Sequence, residues 1–306
     1  MNHAAGVLLL PSIHFQWRRY SLFLESIRAQ TYIMECIILT GDHHTNSTVG
    51  LCPPAFELDD GGTYQLNITQ RWLWGYWKEC WEEVKSFSVE AERRTWIVNG
   101  DALDYDHKGR SSQYVTNNKA TVQRMAITAL EPGLERVDRL YMVRGTDAHV
   151  GNNGEMEEAL AQDIDITVKN GKSSSWYHLQ GVMSGMRVDV AHHTSMGGLA
   201  WTEKNAANKI AADAIMQYVL AGQKYPDLVI RSHVHRHADS HDNYPCRAMI
   251  LPAWQSMTAY GAKLNPNRLS DVGMIMFLID NGKIVAEKKI ITKLHQIGRS
   301  VWTNQL

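Results

Sequence analysis

The sequence predicts an α/β fold, because short apolar runs typical of buried strands alternate with longer segments of helical periodicity. The chain has 306 residues, of which 44% are hydrophobic and 21% charged, and such values are ordinary for a globular protein. Most of the apolar runs are followed at once by Asp, His or both. Because ligands of open α/β sheets bind beyond the carboxyl ends of the strands, we expect these polar residues to meet at one edge.

Charge and cysteine content narrow the class of protein. The formal net charge is −1, so no basic field indicates nucleic-acid binding, although a nucleotide or a local basic groove stays compatible with it. The four cysteines are scattered without a Cys-x-x-Cys pair, which argues against a disulfide framework and a thiolate zinc site and favours a reducing, cytoplasmic compartment. No apolar run approaches the roughly 20 residues that span a bilayer, so no membrane association is expected.

Residues 1–33 differ from the rest of the chain. The apolar run Val7–Leu10 is short and no basic residue precedes it, unlike a secretory signal. We expect the folded domain to comprise residues 34–306, and residues 1–33 to be an extension, either disordered or a non-native start. The alternative is a docked N-terminal helix from Trp17 to Ile27.

The first strand, Cys36–Leu39, is followed by Thr40-Gly41-Asp42-His43-His44. Asp42 and His44 are two positions apart, so on extended backbone they point to the same side. That spacing allows two side chains to share one metal ion. A polar turn that caps a helix is the alternative interpretation of this segment.

The segment from Ile68 to Phe87 predicts a helix, because its apolar residues form one stripe at spacings of three and four. Several tryptophans lie on or beside this stripe, for example Trp77 and Trp81. They offer a platform for base stacking, but the stripe favours core packing against the sheet.

The next strand, Trp96–Val98, is followed by Asn99-Gly100, where the backbone turns sharply, and then by Asp101. A second helix is predicted from Asn117 to Leu130, with Pro132-Gly133 ending it. Asp101 therefore lies just beyond the carboxyl end of a buried strand.

Two further strands also end in polar residues. The strand Leu140–Val143 leads into the run from Arg144 to His149, and a short helix is expected over 155–163. The strand Met186–Ala191 shows clean alternation and ends in His192-His193.

The remaining chain continues the same alternation. A helix is predicted from Asn205 to Leu220, and the strand Leu228–Ile230 leads into the polar run from Arg231 to His237. Three more segments predict sheet, with Asn281-Gly282 as a hairpin turn between the last two: Ala248–Leu251, Gly273–Ile279 and Ile284–Ile291.

The polar strand ends together predict a metal site. Asp and His without Cys suit a borderline metal such as manganese, iron or zinc. The donors outnumber what one tetrahedral ion needs, which favours two ions sharing a carboxylate, the usual clamp for in-line attack on a phosphate ester. The strand-end residues are Asp42, His44, Asp101, Asp147, His149, His192, His193, His233 and His235.

The order Asp-x-His, Gly-Asp-x-x-Asp, Gly-x-x-x-His, His-His and His-x-His resembles the calcineurin-like metallophosphoesterase superfamily from Cys36 to about Ile291. Phage and prophage members carry similar Gly-Asp-Ala-x-Asp, Arg-Gly-Thr-x-x-His-Val-Gly and Leu-Pro-Ala-Trp-Gln stretches, the last at Leu251–Gln255. The resemblance implies a four-layer α/β sandwich, in which two mixed β-sheets are flanked by helices and the dimetal site lies at the strand ends.

The resemblance also implies roles for individual residues. Asp104 matches the second Asp of its motif, which supports the site rather than binding metal. The implied ligands are Asp42, His44 and His235 for the first metal, His192 and His233 for the second, and Asp101 as the bridge between them.

The chain departs from the superfamily at Gly145. Members usually continue with Asn, which binds the second metal, and His, which assists catalysis, whereas Thr146 and Asp147 follow here. A threonine hydroxyl is a poor ligand, so we expect the Asp147 carboxylate to bind the second metal. His149 is the expected catalytic acid, because an imidazole suits proton donation near neutral pH.

Other polar residues near the strand ends have two interpretations. Arg144 is predicted to hold a phosphate, as Arg231 also could, although salt bridges are common at strand ends. His107 is expected to line the pocket near Asp104. His193 is expected to contact substrate, and its alternatives are a turn cap or a ligand in place of His192.

The resemblance therefore predicts a hydrolase of phosphate esters that uses two divalent metals, preferably manganese, with a metal-bridged hydroxide attacking phosphorus in line. The favoured substrate is a diester in nucleic acid or a nucleotide, and the favoured location is the cytoplasm of a bacterial host. Alternatives are a phosphomonoesterase acting on a phosphoprotein or small phosphate, and a non-catalytic binding module. The module is disfavoured because the six implied ligands are all present.

Overall fold

The computed structural model describes residues 32–105, 113–197, 199, 202–264 and 268–293. Residues 1–31 lie outside this part, and so does His107, so the domain boundary near Met34 and the pocket role of His107 stay predictions. The strands are β1 Glu35–Thr40, β2 Phe56–Glu57, β3 Thr63–Tyr64, β4 Arg93–Asn99, β5 Arg139–Val143, β6 Ser175–Trp176, β7 Leu179–Met183, β8 Met186–Val190, β9 Leu228–Arg231, β10 Ala238–Asp239, β11 Arg247–Ile250, β12 Asp271–Asp280 and β13 Lys283–Lys293. The helices are α1 Ile68–Phe87, α2 Lys119–Leu134, α3 Asp147–Val150, α4 Glu155–Gln162, α5 Asn205–Leu220 and α6 Ala259–Leu264, with a 3₁₀ turn at Asn152–Gly154.

The two large sheets are both mixed, as predicted. The first has the order β13-β12-β1-β4-β5-β6, with β1, β4, β5 and β6 parallel and β12 antiparallel to both of its neighbours. The second has the order β10-β11-β9-β8-β7, with a parallel centre and an antiparallel strand at each edge. Strands β2 and β3 form a separate two-stranded sheet.

Strand β1 shows how the layers form. Its side chains alternate, so that Cys36 and Ile38 pack with the helix side of the core while Ile37 and Leu39 pack between the two sheets. A strand buried on both faces has a continuous apolar run, which is the pattern in its sequence. Helices α1, α2 and α4 cover the first sheet and α5 covers the second. The four-layer sandwich is confirmed.

Helix α1 has the predicted bounds. Asn67 caps its first turn, accepting a hydrogen bond from the Gln70 backbone N–H, while the Gln70 side chain accepts one from the Asn67 N–H. Trp77 and Trp81 are fully buried and pack edge to face against each other, so these tryptophans belong to the core, as favoured. Among the described residues, no helix combines the length and apolarity needed to cross a membrane.

Helix α2 extends further than its sequence predicts. It runs through Pro132 to Leu134, although proline lacks the N–H that an interior position donates. The Arg136 guanidinium donates to the Pro132 carbonyl at 2.7 Å, and the Glu135 N–H donates to the Glu131 carbonyl at 3.1 Å, so the last turn keeps its hydrogen bonds. Tertiary packing thus overrides the local signal for termination.

The remaining predicted elements are present within a few residues of their expected bounds. Asn281 and Gly282 both have positive φ, at 47° and 76°, as the tight turn of a hairpin requires. The edge strand β7 was not predicted, because its sequence Leu-Gln-Gly-Val-Met alternates poorly and contains glycine.

Candidate metal centre

The predicted polar strand ends meet at one edge of the sandwich. The residues that follow β1, β4 and β5 of the first sheet lie beside those that follow β8 and β9 of the second. Three groups of side chains each offer three donor atoms within 4.8 Å of one another: Asp42 with His44 and His235, His44 with Asp101 and His149, and Asp101 with His192 and His233.

The first of these groups, called the first cluster, consists of Asp42, His44 and His235. The two imidazole Nε2 atoms of His44 and His235 are 3.0 Å apart. Asp42 Oδ1 lies 3.4 Å from His235 Nε2 and 3.8 Å from His44 Nε2. One cation could therefore contact all three side chains.

The second cluster consists of Asp101, His192 and His233. His192 Nε2 lies 3.0 Å from Asp101 Oδ2, and His192 Nδ1 donates to the Asn99 carbonyl at 2.7 Å. Because a carbonyl only accepts, this bond places a proton on Nδ1 and points Nε2 towards the cluster, where a cation could replace a proton on Nε2. Asp101 also belongs to the group with His44 and His149, so its carboxylate lies between the two clusters.

Two buried atoms of the clusters lack hydrogen-bond partners among the described residues. They are Asp42 Oδ1 and His192 Nε2, which lie 3.9 Å apart. Buried polar atoms are nearly always paired. A buried carboxylate oxygen without a hydrogen-bond partner, beside an imidazole nitrogen whose contact with Asp101 is only an ion pair, fits a cation held between them. The donor set of carboxylates and imidazoles also suits manganese, iron or zinc.

The backbone at these positions is strained. Non-glycine residues rarely adopt positive φ, and sites that hold such conformations are often functional. Five of the six residues in the two clusters have φ between 48° and 75°: Asp42, His44, Asp101, His233 and His235.

The positive φ values also correct one expectation. Asp42 and His44 were expected to point to the same side because the backbone after β1 would be extended. The backbone after β1 is not extended, since both residues adopt positive φ. His43 between them points away, with its Nε2 bonded to Thr40 Oγ1 at 2.9 Å and its ring packed against Trp77. Asp42 and His44 thus reach the same cluster because both have positive φ, whereas His43 between them does not.

Within the clusters, the carboxylates and the imidazoles shift each other's pKa values. Burial disfavours the charged forms of Asp42 and Asp101, but the neighbouring imidazoles outweigh it and hold both pKa values below their usual range. Burial likewise opposes protonation of His192, yet the Asp101 carboxylate raises its pKa to about 10. Protons on His192 and His44, whose pKa Asp104 raises against the effect of burial, thus balance the carboxylates, and a bound cation would take their place.

Asp104 joins His149 to the first cluster. Its Oδ1 accepts from His149 Nδ1 at 2.6 Å and from His44 Nδ1 at 2.9 Å, while Gln255 Nε2 donates to Oδ2 at 3.3 Å. Burial opposes protonation of His149, but the bond to Asp104 raises its pKa above the usual value. The single turn α3 brings His149 to the site.

The structure shows where Thr146 and Asp147 lie, the two residues that follow Gly145 in place of the Asn and His of the resembled superfamily. The Thr146 N–H donates to Asp101 Oδ1 at 2.6 Å, and Thr146 Oγ1 lies 3.2 Å from His233 Nδ1. Asp147, the expected ligand, is exposed and belongs to none of the three groups of donors. The structure therefore brings Thr146, not Asp147, to the second cluster.

Arg144 is not brought to the clusters either. Its guanidinium donates to Ser175 Oγ at 2.7 Å and Glu158 Oε2 at 3.1 Å, and it lies 4.2 Å from the centre of the Tyr177 ring. Arg231 forms an ion pair with Asp189 at 2.8 Å. Both arginines thus have the salt-bridge role that was the alternative interpretation.

Glu157 supports the site but was not predicted. This fully buried residue accepts from the Ala102 N–H at 2.9 Å and from the Gly145 N–H at 2.6 Å. Burial and the nearby Asp101 charge raise its pKa to about 7. The sequence did contain a signal for this role. Glu157 lies three and four positions before Leu160 and Ala161, hence on the apolar face of the helix, where charged residues are rare.

Close backbone packing adds a requirement for glycine at two positions. A Cβ on Gly145 would overlap Asp101, and a Cβ on Gly100, which has a φ of 77°, would overlap the His192 ring. Any larger side chain at either position would displace a cluster residue. These glycines thus allow three strand ends to approach one another.

A groove of about 320 Å³ opens beside the first cluster. Its walls combine imidazoles with polar, aromatic and cationic side chains, and Tyr260 on its rim is 71% exposed. Residues lining it include His44, His149, His235, Arg236, Gln255 and Tyr260.

No family model and no curated protein sequence matches the chain. Among solved structures, a hypothetical protein from Thermus thermophilus shares 9% identity at a TM-score of 0.38, covering 84% of this chain and 99% of its own. A single-substitution variant of Vps29 from Entamoeba histolytica shares 10% identity at a TM-score of 0.31, covering 85% and 99%. A predicted phosphoesterase from Streptococcus pneumoniae shares 9% identity at a TM-score of 0.31, covering 85% and 98%. Similarity this remote supports no conclusion about function. Any functional conclusion must rest on the geometry of the site.

Proposed function

We propose that this chain is a metal-dependent hydrolase of phosphate esters, related to the calcineurin-like metallophosphoesterases. The observation that carries the proposal is the pair of clusters with the Asp101 carboxylate between them, together with the His149–Asp104 pair beside them. Two neighbouring divalent cations, when bound, acidify water and neutralise charge on the phosphoryl oxygens.

The residues of the chain have separate tasks in this proposal. Asp42, His44 and His235 hold one cation, while Asp101 is shared with the other, which His192 and His233 also hold. Burial of the carboxylates keeps competing water away and strengthens their attraction for a cation.

His149 is the proposed general acid. Its Nδ1 is bonded to Asp104, which orients the ring and leaves Nε2 as the atom that gives a proton to the departing oxygen. Its pKa, raised above the usual value by the bond to Asp104 against the effect of burial, favours the protonated form that an acid requires at neutral pH. No protein nucleophile is needed, so no phosphorylated residue should form during turnover.

A diester in nucleic acid or a nucleotide is the proposed substrate. The groove beside the first cluster carries the exposed ring of Tyr260, on which a base could stack. Arg236 lines the same groove and provides positive charge near the place of a phosphate, although it also pairs with Glu203 at 3.0 Å.

The test uses the full chain, treated with a chelator and then reloaded with Mn²⁺, Fe²⁺ or Zn²⁺. Hydrolysis of bis(p-nitrophenyl) phosphate and of p-nitrophenyl phosphate is measured side by side. We expect the chelator to abolish hydrolysis, Mn²⁺ to restore it, and the diester to be the better substrate. Faster monoester hydrolysis would favour a phosphatase, and no metal-dependent hydrolysis of either ester would leave a binding module.

A further inference from the structure

The second sheet ends at strand β7, whose outer edge has no strand paired to it among the described residues. β7 pairs with β8 on one side and stands last in the order of its sheet. Leu179 and Met183 are buried between the two large sheets, whereas Val182 is 59% exposed. An open edge presents backbone N–H and C=O groups that form a template for another strand.

The turn that joins β7 to β8 fixes the hydrogen-bonding pattern of this hairpin. Ser184 and Gly185 have φ of 46° and 84°, as a tight two-residue turn requires. Met183 and Met186 face each other on either side of that turn and form a hydrogen-bonded pair. Hydrogen-bonded and non-hydrogen-bonded pairs then alternate along the antiparallel ladder.

This alternation decides which backbone groups of β7 face the open edge. Gly181 lies two positions before Met183, so its N–H and C=O groups bond to β8. Gln180 and Val182 therefore direct their N–H and C=O groups away from β8. The side chains of both residues are exposed as well, so four backbone groups lie in a row along an accessible edge.

The composition of β7 differs from that of the other long edge strand. Strand β13 closes the first sheet and carries four lysines and a glutamate among its 11 residues. Charged side chains, lysine above all, protect an edge strand from pairing with another chain. The sequence of β7, Leu-Gln-Gly-Val-Met, contains neither a charged residue nor a proline, so β7 lacks this protection.

We propose that β7 is the interface through which two copies of this chain associate, each β7 pairing antiparallel with the other about a two-fold axis at Gly181. In this register Gln180 of one copy faces Val182 of the partner subunit, which allows four backbone hydrogen bonds. The outward groups are placed symmetrically about Gly181, so the edge is complementary to itself. A second copy therefore closes both open edges at once and joins the two five-stranded sheets into one.

The test is the molar mass of the full chain in solution, measured by light scattering over a dilution series. We expect a dimer of twice 34.7 kDa that dissociates on dilution. Val182→Pro removes an N–H that faces the edge and none that bonds to β8, so it should raise the dimer dissociation constant at least about tenfold. Val182→Thr keeps that N–H and the shape of the side chain, and should dimerise like the parent.

A cross-link tests the register of the pairing separately. The two Gly181 Cα atoms would form a non-hydrogen-bonded pair about 4.5 Å apart, a distance that a disulfide can bridge. A Cβ at Gly181 would meet nothing within 4 Å, and the four native cysteines are buried. Gly181→Cys should therefore form a covalent dimer with oxidised glutathione, whereas Val285→Cys, at an exposed position of β13, should not.

Two outcomes would overturn the proposal. One is a parent that stays monomeric at every concentration. The other is a parental dimer that neither weakens in Val182→Pro nor cross-links through Gly181→Cys, because another surface would then join the copies. If thermal unfolding shows that Val182→Pro does not fold, the cross-link alone decides.

Discussion

The two clusters differ in how they are built, although each combines a carboxylate with two imidazoles. The first is assembled from two short Asp-x-His and His-x-His segments, and its His44 is held directly by Asp104 at 2.9 Å. The second depends on distant support, from Glu157 behind the Asp101 loop and from the Asn99 carbonyl behind His192. Tertiary contacts close both clusters. The first and its Asp104 support come from residues of short recognisable motifs, whereas Glu157, which supports the second, lies outside every such motif.

A change at Asp101 should affect both clusters alike, because its carboxylate forms one group with His44 of the first cluster and another with His192 and His233 of the second. Asp101→Asn removes a negative charge shared by the clusters, so we expect the loss of both ions and a fall in hydrolysis of more than about 100-fold. Metal content by mass spectrometry and the diester assay measure the two effects. Asp147→Asn, the same change at an exposed position, should keep both ions, and full activity in Asp101→Asn would end the dimetal interpretation.

Glu157→Gln should weaken the second cluster more than the first, because the first cation is also held by Asp42, His44 and His235. The amide offers one acceptor and would set its NH₂ group against the N–H of Ala102 or Gly145, both of which now donate to the carboxylate. We expect the affinity of the second site to fall by about 10- to 100-fold, with about 1–3 kcal/mol lost from the free energy of unfolding. Titration with Mn²⁺ and thermal unfolding measure these changes.

Glu155→Gln is the control for this variant, because Glu155 begins the same helix but pairs with Lys119 at the surface. It should leave both sites unchanged. If Glu157→Gln weakened the two sites equally, the support would not be specific to the second cluster.

His149→Gln should leave both clusters loaded and slow the chemical step. The loss should be about 10²- to 10⁴-fold for esters with poor leaving groups, which need the proton most. p-Nitrophenyl esters, whose leaving group is acidic, should be nearly unaffected. If a metal ion is lost from this variant, His149 acts as a ligand, and its place in the group with His44 and Asp101 explains why.

Protonation of the imidazoles should make metal binding depend on pH. In the metal-free protein the pKa of His192 is about 10, because the Asp101 carboxylate outweighs burial, and Asp104 likewise raises that of His44. These raised values stabilise the metal-free fold fully below a pH of about 6.5, and that contribution is lost as the pH rises through the folded-state pKa. Mn²⁺ must displace the protons, so its affinity should increase from about pH 6 to pH 9.

Calorimetry in buffers of different ionisation enthalpy counts the protons released. Binding without proton release at neutral pH would contradict the imidazole–carboxylate pairing described for the metal-free clusters.

The order of the strands along the chain and the residues that meet in the two clusters were predictable from local pattern, whereas the contact of Glu157 with the Asp101 loop was not. The local sequence alone predicts a carboxylate at a strand end, because the apolar run Trp96–Val98 is followed closely by Gly100-Asp101. Glu157 acts across 55 positions on the Ala102 N–H, and no spacing rule connects them. The positive φ of Asp42 and His44 was likewise invisible, because residue type favours that conformation only weakly at Asp and His.

The central claim is that one cation binds at each cluster and that both cations share the Asp101 carboxylate. Anomalous diffraction at the manganese absorption edge, from crystals of the full chain soaked in Mn²⁺, tests it most directly. The account predicts two peaks per chain, one among Asp42, His44 and His235 and the other between His192 and His233, with Asp101 contacting both. A single peak, or peaks away from these residues, would contradict it.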